Sequence, residues 1–90
     1  MMKAIITVVG KDTVGILAKV STACAESNVN IVEVNQSVLK DMFAMTMMVE
    51  IDKDSIGIDA LREKLEKVGE QTATVIHVMH EDIFNSMHKL

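Results

Sequence analysis

Ninety residues with 9 basic and 13 acidic side chains, a net charge of −4, make up one domain's worth of chain, which excludes an enzyme with separate cofactor and substrate domains. A hydrophobic content of 49%, a charged content of 24%, no proline and only 4 glycines exclude a disordered or collagen-like chain. The acidic balance, together with Phe43 and Phe84 as the sole aromatics, argues against a nucleic-acid partner, which needs clustered lysine and arginine and flat rings for stacking.

A domain of this size buries only about 60 to 70% of the surface that its unfolded chain exposes, so a second subunit is expected to complete the core. The single cysteine, Cys24, has no internal disulfide partner, and the apolar run near the N-terminus is too short for a signal-peptide core. No stretch approaches the roughly 20 apolar residues of a membrane span. A soluble, cytoplasmic protein is the expectation.

Ala4 to Val9 (AIITVV) reads as a buried strand ended by Gly10. After the GKDT loop, Ile16, Leu17, Val20, Ala23, Cys24 and Ser27 share one face of a helix predicted over residues 14–27, with Asp12 or Thr13 as its N-cap. Asn28 and Asn30 suit a left-handed helix exit, and Ile31 to Leu39 returns to strand character. Beyond a Lys40-Asp41 turn, Phe43, Met45, Met47, Val49 and Ile51 alternate with Ala44, Thr46, Met48 and Glu50, the mark of a strand with one face buried. Ile58, Leu61, Leu65 and Val68 then recur at helical spacing up to Gly69, where a helix stop is expected. Thr72 to Met79 is a fourth strand, and residues 81–90 form a short terminal helix with a stripe of Ile83, Phe84, Met87 and Leu90.

This order predicts a ferredoxin-like α+β fold, βαββαβ with a helical tail: a four-stranded antiparallel sheet with strands one and three central and two helices on one face. The whole chain, 1–90, is then a single domain with its core over residues 3–80. The first strand is apolar at both parities, so the face away from the helices calls for cover from the tail, a second subunit or both.

The fold alone does not give a function. A ferredoxin-like RNA binder wants paired aromatics, a copper carrier two cysteines in the first loop, and an acylphosphatase-like enzyme an arginine there; the first loop, GKDTVG, and the third strand, MFAMTMMVEI, offer none of these. What they leave is the loop itself. In GKDTVGIL a helix starts after a turn and has a glycine in its first turn, so N–H groups without helical partners are left uncovered and would attract a carboxylate or phosphate. The same residues also suit a plain capped helix in which Gly15 only packs against a strand.

The DTVGIL segment (Asp12 to Leu17) and the NVNI segment (Asn28 to Ile31) resemble the Asp-x-Pro-Gly-x-Leu and Gly-x-Asn-Ile signatures of the ACT domain, the amino-acid-sensing module of many metabolic enzymes. Val14 stands where that pattern often has proline, and Val29 where it often has glycine. Over its whole length the chain is similar to small free-standing bacterial ACT proteins and to the ACT regions of the glycine cleavage system repressor and formyltetrahydrofolate deformylase. The resemblance implies a homodimer with an amino acid between the first loop of one subunit, at Asp12, Val14, Gly15 and Ile16, and the second strand of the other, at Asn30, Ile31 and Val32. N–H groups at Gly15 and Ile16 would take the carboxylate, and an oxygen of Asp12 or Asn30 the ammonium.

Cys24 falls on the apolar helix face and reads as packing rather than redox chemistry. His77 and His80 are three apart on a strand and point to opposite faces, which argues against a metal site with Glu81 and Asp82. The methionines around the third strand read as core and interface filler, and Asp52, Asp54 and Asp59 as solvated turn and helix-start residues. No cofactor is implied, and no nucleophile with its base and no paired carboxylates point to catalysis. Two functions remain: a non-catalytic regulatory module that binds an amino acid or similar small ligand, or an interaction module of the same fold that docks a protein and has no small-molecule ligand.

Overall fold

The computed structural model describes residues 2–11 and 15–87. The elements run β1 (Met2–Lys11), α1 (Ile16–Glu26), β2 (Asn30–Leu39), β3 (Met42–Ile51), α2 (Ile58–Thr72), β4 (Thr74–His80) and α3 (Glu81–Met87), and the sheet order β2-β3-β1-β4 is antiparallel throughout. This is the expected ferredoxin-like arrangement, with β1 and β3 central.

The alternation in β3 positions the core. Phe43, Met45, Met47, Val49 and Ile51 are all buried on the helix-covered face. Ile6 lies between Met47 and Val78, and Val8 between Met45 and Ile76, so one apolar layer runs across three strands. Helix α1 closes it with Ile16, Val20, Ala23 and Cys24, and α2 with Leu61 and Leu65.

On the outer face the rows are Met79–Ile5–Met48, His77–Thr7–Thr46 and Val75–Val9–Ala44. Ile5 is only 2% exposed although it faces away from α1 and α2. Helix α3 lies against β1 and β4 and gives cover at that end, while Val9 and Val75 stay exposed.

Four local expectations change. Helix α1 begins at Ile16, not at residue 14, and its N-cap position is Gly15 in left-handed geometry (φ 89°), with no side-chain cap; Asp12 and Thr13 lie outside the described residues. Leu17 is 36% exposed, because the core-facing stripe Ile16, Val20, Ala23, Cys24 and Ser27 excludes the residue that follows Ile16 around the helix.

Helix α2 runs three residues past Gly69 to Thr72, and Ala73 (φ 56°) takes the left-handed exit. Gly69 serves packing instead: a Cβ there would stand 2.8 Å from the Thr74 carbonyl oxygen. The fourth strand therefore starts at Thr74, and the Thr72 and Thr74 hydroxyls lie 2.8 Å apart across the turn. In α3, Ile83 is 56% exposed and Phe84 half-buried, so the tail's apolar stripe is only partly covered by its own domain; Leu90 lies outside the described residues.

Candidate functional site

Gly15 stands where the chain enters α1. Its carbonyl accepts the first helical hydrogen bond, from the Lys19 N–H at 2.9 Å, so the N–H groups of Ile16, Leu17 and Ala18 precede the helical ladder. Among the described residues, a Cβ at Gly15 would meet nothing within 4 Å. The glycine is therefore set by its backbone angle and not by packing against a strand, and its surroundings are open to a small molecule. Ile16 is buried and can offer only its backbone outward. Asp12 and Val14, expected to complete this side, lie outside the described residues.

On the strand side, Asn30 opens β2 and is exposed, and its Nδ2 donates to Glu50 Oε1 at 3.3 Å. Ile31 is turned into the core. Val32, at the irregularity between Ile31 and Glu33, is 49% exposed.

These two groups do not meet within one chain. Asn30 is level with Glu50 and Lys3, whereas the chain leaves β1 for the first loop at Gly10 and Lys11. Seven residues separate Lys3 from Gly10, which at about 3.3 Å per residue is on the order of 20 Å.

The two sheet edges differ. On β4 the Val78 carbonyl accepts from Arg62 Nε and Nη2, at 3.2 and 3.1 Å, so a side chain from α2 occupies that strand's backbone acceptor. Edge strand β2 is exposed or half-exposed at each described side chain. Sequence reasoning missed both Glu50 and Arg62. The only available signals were an acid closing an apolar strand and a lone arginine in the second helix.

Cys24 and Asn28 serve the packing and the turns of the fold. Cys24 is fully buried, and burial pushes its thiol pKa up from 9.0 to about 11, with Lys64 pulling weakly the other way. Asn28 takes the left-handed helix exit (φ 58°) and donates to the Asp54 carbonyl, while Ser55 Oγ donates to the Asn28 carbonyl, which ties the 52–55 turn to the end of α1. Among the described residues no group of three or more His, Cys, Asp or Glu is placed to hold a metal ion, and no helix is long and apolar enough to cross a membrane.

The family model of the ACT domain matches residues 3–79. The chain belongs to the ACT domain family. A UPF0237 protein of Methanopyrus kandleri is 41% identical over 90 residues, covering 100% of both chains. An ACT domain protein from Streptococcus pneumoniae superposes with a TM-score of 0.81 at 40% identity, over 97% of this chain and 98% of that one. The regulatory subunit of aspartate kinase from Thermus thermophilus, in ligand-free form, shares the ACT fold at a TM-score of 0.68 and 26% identity, over 86% of this chain and 50% of that one.

Proposed function

We propose that this ACT protein is a non-catalytic regulatory module that binds an α-amino acid between two copies of itself. The observation that carries the reading is the separation of Gly15 and Ile16 from Asn30, Ile31 and Val32 at opposite ends of one sheet. A two-fold pairing of the exposed β2 edges runs the strands antiparallel, so the partner's Asn30 end lies level with the Leu39 end of β2. That is the end at which the first loop leaves β1.

Two incomplete halves then become two complete sites. The open N–H groups at Ile16 and Leu17, with the loop at Asp12, Val14 and Gly15, take the α-carboxylate. Asn30 takes the ammonium through its amide oxygen, Val32 borders the side chain of the ligand, and Ile31 contributes backbone only. The family's regulatory member in aspartate kinase supports a sensing role, with occupancy changing how firmly the two copies hold each other and any protein partner. A cytoplasmic location fits a sensor of metabolite concentration.

Calorimetric titration with each of the twenty amino acids, on a sample whose mass is measured by light scattering, tests this. The expected result is a dimer that binds at least one amino acid at up to millimolar concentration. A monomer, or a dimer that binds none, would favour the interaction module without a small-molecule ligand.

A further inference from the structure

Away from the loop and from β2, the outer surfaces of α1 and α2 border an open groove of about 420 Å³ that reaches from Glu26 and Lys64 to Lys19 and Gln71. Sites for small molecules commonly fall in this range of volume. The floor is apolar, from Ala18, Ala23 and Val68, and the lysine stems extend it.

The charge is uneven along the groove. The two crossovers run in opposite directions, so α1 and α2 are antiparallel. Lys64 Nζ lies 3.2 Å from Glu26 Oε1 and closes one end with a neutralised pair. Lys19 lies two turns before Glu26 and therefore falls at the other end, level with Gln71, with Lys67 between the two ends. Neither Lys19 nor Lys67 has a carboxylate within 4 Å among the described residues. Lys19 and Lys67 thus add two ammonium groups, beyond the Glu26–Lys64 pair, to the rim of an apolar trough, on a chain whose net charge is −4.

We propose that this groove is a second ligand site, distinct from the amino-acid site, for an amphiphilic anion: a short alkyl or aryl body over Ala18, Ala23 and Val68, with one carboxylate or phosphate head held by Lys19 and Lys67. Charge-assisted contacts fix the head, and burial of the body supplies the rest. The Glu26–Lys64 pair repels no anion and bounds the length of the body.

Octanoate, octyl phosphate and octylamine, titrated separately into the full chain and followed by the methyl signals of Ala18, Ala23 and Val68, provide the test. At least one of the two anions is expected to shift these methyls, and whichever binds more tightly identifies the head group; octylamine should bind about tenfold more weakly or not at all. Lys19→Gln with Lys67→Gln should weaken the anion by roughly tenfold, and Ala18→Met should fill the groove and block it, each without change of mass. Silence of the groove methyls toward both anions, equal binding of octylamine, or parent-like binding by the double lysine variant would overturn the proposal. Loss of dimer mass in Ala18→Met would assign the groove to a second copy of the chain, which also overturns it.

Discussion

Asn30 stands opposite Glu50 because Val32 is an extra residue in β2. From the Lys40-Asp41 turn the hairpin pairs Leu39 with Met42 and Glu33 with Met48, whereas beyond the irregularity Ile31 pairs with Val49 and Asn30 with Glu50. Unshifted pairing would set Asn30 against Ile51, on the buried face. One inserted residue thus sends the amide to the solvent side. Deleting Val32 is expected to leave a regular ladder with Asn30 still opposite Glu50 on the solvent side and to change stability by less than about 1 kcal/mol, read from urea denaturation. Asn30→Ala should change stability by less than about 0.5 kcal/mol, since the amide is exposed.

Gly15 makes a backbone prediction. With φ at 89°, Gly15→Ala meets no clash among the described residues but places an L-residue in left-handed geometry. The expected loss is about 1 kcal/mol, and Gly15→Asn should lose less. A stabilised Gly15→Ala, as helix propensity alone would give, would contradict the cap geometry.

Gly69 separates two effects of opposite sign. Alanine inside a helix gains up to about 1 kcal/mol over glycine. Here its Cβ would press on the Thr74 carbonyl oxygen at 2.8 Å. Helix and strand must part to relieve that contact, so Gly69→Ala is expected to destabilise by about 1–3 kcal/mol net. Chemical denaturation gives the sign directly.

The buried thiol gives an alkaline signature. Cys24 keeps its proton in the folded state up to about pH 11, whereas the unfolded chain loses it near 9.0. The stability from this group is therefore fully present below about pH 9 and is lost as pH rises towards 11, by about 2 kcal/mol in all. Cys24→Ala should remove that part of the pH slope, and in the parent a thiol reagent should react only as fast as the protein opens.

The elements that could be read from sequence were those whose periodicity has a single meaning. The β3 alternation gave both strand and buried face, and the α1 stripe gave Val20, Ala23 and Cys24. Gly69 was misread because a glycine that stops a helix and a glycine that lets a strand approach look alike in one dimension. The bulge was hidden because Ile31, Val32 and Val34 are all apolar, so either parity could face the core. Gly15 was placed inside the first turn of the helix, because a left-handed entry residue and a helical glycine look alike in one dimension. The Asn30–Glu50 pairing was not legible, since it depends on a register shift that only strand pairing reveals.

The central claim, a site shared between two subunits, is tested most directly by complementation. Gly15→Val damages only the loop half and Asn30→Ala only the strand half, so neither homodimer should bind the amino acid that the parent binds. Mixed and allowed to exchange subunits, the two variants form heterodimers in which one of the sites has both halves intact. Calorimetric titration of the mixture should then show partial recovery of sites at parental affinity. A mixture that binds no better than its two components would contradict the shared site.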